Sequence, residues 1–220
     1  MYKYVLFDLD GTLTDPGEGI TNSIVYSLKK FGIEVTDKTT LYPFIGPPLY
    51  NSFQKYYGFD GERSQKAVEL YREYYRDAGI FENVVYDGIP EVLKALKDAG
   101  KTLVVATSKP EEFAVRILEK FGLSEYFNIV AGATMDGSRI EKCDVIRYAL
   151  EKCKTEEKSL AVMVGDRCYD IIGAKSVGIA SIGVLFGYGS LDELKTAGAD
   201  YIAETPRDLL SILLHNERTN

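Results

Sequence analysis

Asp8 and Asp10 stand two positions apart, directly after the apolar run Tyr4-Val5-Leu6-Phe7 and directly before Gly11 and Thr12. Such a run reads as a buried strand ending in a polar turn. At a strand's end, two carboxylates separated by one residue can point to the same side. They then repel each other unless a cation neutralises them or one takes a proton. Hard oxygen ligands favour magnesium, which keeps waters and uses few protein carboxylates. Gly11 permits a tight turn and Thr12 can cap it. An isolated Asp-x-Asp reads as a solvated turn, but Asp-x-Asp-Gly-Thr at the end of a strand reads as chemistry.

Two further strand ends carry polar clusters. Leu103-Val104-Val105-Ala106 leads into Thr107, Ser108 and Lys109, and Val162-Met163-Val164-Gly165 leads into Asp166, with Asp170 four residues on. Ligands of open α/β sheets bind at this edge, which places the three clusters in one site. Asp166 extends the metal set. Asp170 either joins it or meets the dipole at a helix start. Thr107 or Ser108 offers a hydroxyl to a phosphate oxygen, or merely caps a helix. Lys109 reaches the same edge or solvent. Lys142 opens a helix, against the dipole preference, so it is either placed for another reason or is ordinary surface charge.

Apolar periodicity supplies the scaffold. Helices are predicted over residues 18–31, 49–57, 64–78, 90–99, 111–120, 141–152 and 171–176, and strands over 4–7, 103–106, 127–130, 160–164 and 181–185, with a short last one at 201–202. Alternating strands and helices imply a parallel sheet covered on both faces. Only one short strand precedes the helices of 18–78, so that stretch reads as an insertion. Residues 41–50, with three prolines and Gly46, read as a loop or short turn. Residues 216–220 are polar and are expected to fray.

The 220 residues suit one large domain or two unequal ones, and a hydrophobic fraction of 45% is enough for a core. The net charge of -7 disfavours nucleic-acid polymers and anionic membranes as partners. Three cysteines without a Cys-x-x-Cys pair suggest neither a disulfide framework nor a zinc site, and point to a cytoplasmic protein. No run approaches the roughly 20 apolar residues of a membrane span. The single histidine, His215, follows the apolar run 209–214, read as a fraying surface helix. Triad hydrolysis and phosphohistidine chemistry need an imidazole, so carboxylates, lysine, hydroxyls or metal must do the work.

With these clusters in order, the sequence resembles the haloacid dehalogenase superfamily, in its phosphoglycolate phosphatase-like or 5'-nucleotidase-like branch. The resemblance rests on Asp8 to Leu13, Thr107, Lys142, and Gly165-Asp166 with Asp170, and runs through essentially the whole chain. It implies a Rossmann-like core of residues 1–15 and 83–220, with an inserted α-helical cap of residues 16–82. It also implies that Asp8 attacks phosphorus and that Asp10 serves as acid and then base. Thr107 and Lys142 would bind the phosphoryl oxygens. Mg2+ would be held by Asp8, Asp166, Asp170 and the backbone carbonyl of Asp10. Gly11, Thr12, Ser108, Lys109, Glu18, Phe44 and Arg139 are the candidate substrate-binding residues. Phe44 would stack on a base or seal the cap.

The expected partner is a small phosphorylated metabolite, and the expected form a monomer or homodimer. Asp10 favours phosphate monoesters, because the dehalogenase and phosphonate-cleaving branches lack a carboxylate there. The absence of histidine from residues 16–82 weakens a mutase reading. The resemblance implies a phosphoglycolate phosphatase-like activity, with a 5'-nucleotidase or a sugar-phosphate phosphatase or mutase as alternatives. A receiver domain has half this length and no insertion. A silent binding protein on this fold would be expected to lose some of the polar residues that are all present here.

Overall fold

The computed structural model describes residues 1–215, so residues 216–220, where fraying was expected, lie outside it. The chain divides into two compact units, Met1–Thr14 with Val85 onward, and Asp15–Val84. In chain order the strands are β1 Tyr4–Phe7, β2 Thr14–Asp15, β3 Val84–Val85, β4 Thr102–Pro110, β5 Ile129–Ala133, β6 Ala161–Gly165, β7 Ala180–Val184 and β8 Tyr201–Ala203. The helices are α1 Gly17–Lys30, α2 Leu49–Tyr57, α3 Gly61–Tyr75, α4 Ile89–Asp98, α5 Glu111–Lys120, α6 Lys142–Lys152, α7 Cys168–Val177, α8 Leu191–Ala197 and α9 Pro206–His215.

The first unit holds a six-stranded sheet in the order β5-β4-β1-β6-β7-β8, with all neighbours parallel. Side chains alternate across each strand, so Leu6, Val104, Ala106 and Met163 face one side. There they pack with Val145, Ile146 and Ala149 of α6 and Ala174 and Val177 of α7. Helices α4 and α9 pack together, with Leu93, Leu96, Leu209 and Leu213 fully or almost fully buried. The burial of Leu209 and Leu213 corrects the reading of a fraying surface helix: α9 docks by its apolar stripe, while His215 stays exposed.

From β1 the chain goes next to β4 and β5 on one side and later to β6 on the other. That reversal is a topological switch point, and it lies at the carboxyl end of β1. Phe7 is level with Val105 of β4 and Val164 of β6, so Asp8 emerges between those two strands. Among the described residues no helix is long and apolar enough to cross a membrane, and all three cysteines are unpaired.

The second unit is helical. α1 packs on α3 and α2 on α3. Residues 38–44, of which 41–44 fall in the stretch read as a loop or short turn, form a 3-10 helix capped by Asp37, whose carboxylate accepts the Thr39 amide at 2.9 Å. The chain enters and leaves this unit through β2 and β3, which pair as a two-stranded ribbon.

Candidate active site

Lys142 is the first residue of α6 and is buried. Its ammonium lies 2.9 Å from Asp8 Oδ1 and 2.7 Å from Asp170 Oδ1, and it donates to the Ala106 carbonyl at 3.1 Å. Two ion pairs and one hydrogen bond thus surround its charge. A cation at a helix start loses about 0.3–1 kcal/mol to the dipole. Two buried carboxylates outweigh that, since stranding one buried partner costs about 3–5 kcal/mol. Burial alone would lower the lysine's pKa, but the charges of Asp170 and Asp8 raise it above the ordinary value. The lysine stem rests on Gly173, where a Cβ would come within 2.9 Å of Lys142 Cγ.

Asp8, Asp166 and Asp170 are buried and each can offer an oxygen within 4.8 Å of the others. Asp8 Oδ1 and Asp170 Oδ1 have the Lys142 ammonium at ion-pair distance and accept no hydrogen bond. One lysine between three acids leaves negative charge uncompensated, and a divalent cation with oxygen preference fits that deficit. Burial, then the charges of Asp170 and Asp8, hold the Asp166 carboxyl well above the usual range. Burial raises Asp170 to about 6 against the pull of Lys142.

A metal must displace any protons these acids hold. The raised pKa of Asp170 means the metal-free folded chain binds a proton that the unfolded chain releases near pH 4. This contribution to stability is present at low pH and is lost as pH rises through about 6. Stabilisation by a divalent metal is therefore expected to be small at pH 5 and large at pH 7.5, read as the rise in Tm on adding metal. An equal rise at both pH values would contradict the assignment.

Asp10 stands outside the trio; the sequence reading assigned its backbone carbonyl to the metal. Its Oδ2 meets Lys109 Nζ at 2.8 Å, and its Oδ1 accepts no hydrogen bond. Burial raises its pKa, and Lys109 opposes the shift only in part. A carboxyl that carries a proton more readily suits proton transfer near neutrality. Lys109 is thus placed on Asp10, where sequence reasoning set it only at the edge or in solvent. Its backbone amide donates to Thr107 Oγ1 at 3.2 Å, which fixes the hydroxyl at the end of β4. β4 runs on through Thr107, Ser108 and Lys109 to Pro110, past the predicted strand, with a register shift against β5.

Gly11 has φ +82°, and a Cβ there would lie 2.2 Å from Asp166 Oδ2. A side chain would collide with the acid, so the turn requires glycine. Thr12 Oγ1 donates to Asp166 Oδ1 at 3.4 Å. Arg139 is held elsewhere: its Nε donates to the Gly132 carbonyl at 2.9 Å, and its guanidinium lies 3.6 Å from Glu111 and over the Tyr148 ring. Glu18 and Phe44 belong to the helical unit. Glu18 is exposed on the first turn of α1, while Phe44 is 2% exposed and packs on Phe53, Tyr56 and Tyr57. That packing places the Phe44 ring in the core of its own unit.

Sequence reasoning missed the segment after β7. The Tyr188 amide donates to Asp166 Oδ2 at 2.8 Å, and Gly187 and Gly189 lie against Asp166. Gly-Tyr-Gly just past a strand was the available signal.

The sequence profile of the haloacid dehalogenase-like hydrolases matches residues 5–184. The chain belongs to this family. A 5'-nucleotidase of Pseudomonas aeruginosa is 47% identical over 194 residues, covering 88% of this chain and 87% of that one. A crystal structure described as a predicted phosphatase from Clostridium acetobutylicum is 51% identical, with a TM-score of 0.95, covering 98% of this chain and 100% of that one. The tyrosine-protein kinase PtkA of Mycobacterium tuberculosis is 42% identical over 190 residues, which cover 86% of this chain but only 64% of that longer protein. This haloacid dehalogenase-like hydrolase is a phosphatase, a phosphoric monoester hydrolase.

Proposed function

We propose that the chain is a magnesium-dependent phosphatase for small phosphate monoesters that works through an aspartyl-phosphate on Asp8. The observation that carries this reading is the buried trio Asp8, Asp166 and Asp170, with Lys142 against two of its members. In the first step an Asp8 oxygen bonds to phosphorus as the bond to the leaving oxygen breaks, and Asp10 gives that oxygen its proton. In the second step water attacks phosphorus, Asp10 takes the proton, and the bond to Asp8 breaks. Thr107 and Lys142 orient and neutralise the equatorial oxygens, because phosphoryl transfer depends mainly on positioning and charge. Magnesium held by Asp8, Asp166, Asp170 and the Asp10 carbonyl would supply the positive charge that lets an anionic nucleophile meet an anionic phosphate.

Between substrates, similarity to the Pseudomonas aeruginosa 5'-nucleotidase supports a nucleoside 5'-monophosphate for this chain over phosphoglycolate.

Phosphate release should be measured from nucleoside 5'-monophosphates, phosphoglycolate and sugar phosphates, with magnesium and with chelator. Acid-quenched enzyme is then examined for radiolabelled phosphate on Asp8. The expected result is turnover that chelator abolishes, highest on the nucleotides, with label on Asp8. Turnover indifferent to chelator, with no label on Asp8, would refute the mechanism. Preference for phosphoglycolate would correct the substrate alone.

A further inference from the structure

Helix α7 begins just after Arg167, between Asp166, which follows β6, and Asp170 in the helix's own first turn. The first N–H groups of a helix need acceptors from outside it, and arginine offers no short acceptor side chain at a cap position. The Cys168 amide instead donates to Glu193 Oε1 at 2.8 Å, a carboxylate reaching over from α8. The same oxygen accepts Arg167 Nε at 2.9 Å. In the same turn, the Arg167 amide donates to Asp170 Oδ2 at 3.1 Å. Glu193 therefore grips both residues that follow Asp166, and one of them in turn holds Asp170.

The segment leading to Glu193 closes on the same turn by its backbone. A Cβ on Gly189 would come within 1.8 Å of the Asp166 carbonyl, and one on Gly187 within 2.5 Å of Asp166 Cβ. The Glu193 amide donates to Ser190 Oγ at 3.1 Å, which fixes the helix start from which the carboxylate projects. Ser-x-x-Glu ordinarily marks a capping box within one helix. Here its glutamate reaches into a different helix.

We propose that Glu193 is a positioning residue for the metal site, bridging α8 to the turn that joins Asp166 to the start of α7 and holding Asp166 and Asp170 at ligand spacing before the metal binds. The inference rests on reading Asp8, Asp166 and Asp170 as metal ligands. Like charges brought together repel, so without an anchor the turn relaxes and the ion must gather its ligands again.

The test measures Mn2+ affinity by electron paramagnetic resonance and the Tm rise caused by Mg2+, on the full chain. Wild type is compared with Glu193→Ala, Glu193→Gln and the control Asp192→Asn, which removes an exposed acid from the same helix turn. Glu193→Ala is expected to weaken metal binding by about 10-fold, the lower end for a residue that orients ligands. Glu193→Gln keeps an acceptor for the Cys168 amide but loses the charge on Arg167, and falls between. Asp192→Asn binds as wild type does, and turnover by Glu193→Ala recovers at saturating Mg2+.

Wild-type affinity in Glu193→Ala, even with a lowered metal-free Tm, would show a helix cap and nothing more, and would overturn the proposal. Should that variant fail to fold, Glu193→Gln and Arg167→Met both act on the ion-pair limb to Arg167, on which the proposal equally rests. Unchanged affinity in both overturns it equally. Absence of metal binding in the wild type would instead remove the metal reading of the trio, a separate result that takes this proposal with it.

Discussion

Asp8→Asn is expected to lower kcat by about 10,000-fold or more, because it removes the attacking oxygen while leaving the rest of the site assembled. The variant should remain folded. Lys142 still has Asp170 at 2.7 Å and the Ala106 carbonyl at 3.1 Å, so its charge is not stranded. The substitution also removes one source of repulsion, since the charge of Asp8 is among the causes raising both Asp166 and Asp170. Steady-state kinetics on the best substrate, with circular dichroism as a check on folding, decide the matter. Activity within about 10-fold of wild type would mean that phosphorus is attacked by something other than Asp8.

Lys142→Met is expected to damage both stability and rate. It leaves two buried carboxylates facing each other without their cation, which costs about 3–5 kcal/mol in the metal-free protein. For a chain of this size that corresponds to a fall in Tm of about 10 °C. The fall should be larger at pH 8 than at pH 5. Without Lys142 the Asp170 pKa rises further, so a proton relieves the repulsion at the lower pH. Added Mg2+ should restore part of the Tm. The rate is expected to drop by about 100- to 1,000-fold even at saturating metal, as for the loss of one preorganised donor to the developing charge. A variant with wild-type kcat and an unchanged Tm would show Lys142 to be a bystander.

Most of this site was legible because its acids and hydroxyl follow directly on apolar strands. Asp8, Thr107 and Asp166 each lie just past a run that had to be buried, and the parallel sheet brings those ends to one edge. Lys142 was visible as an anomaly, a cation at a helix start. Its partners were not, because nothing local to residue 142 names Asp8 or Asp170. The same limit hid the Lys109–Asp10 pair and the Glu193 bridge, which join residues far apart in the chain. α8 went unread because seven residues give too little periodicity to separate it from a loop. Phe44 and Arg139 show the opposite limit. Their types suit recognition, but one ring lies in an aromatic core and the guanidinium is held by a carbonyl, an acid and a tyrosine face.

The central place of β1 also constrains the order in which the molecule is made. Its neighbours, β4 and β6, begin at Thr102 and Ala161, long after β1 has left the ribosome. Residues 15–84 form a continuous helical unit that can fold as they emerge, since domains fold as units during synthesis. The strand that ends in Asp8 must wait, apolar and unpaired, for both sides of its sheet. The nascent chain therefore exposes an apolar strand until Ala161 and the rest of β6 have been made, and the trio Asp8, Asp166 and Asp170 is complete only after that.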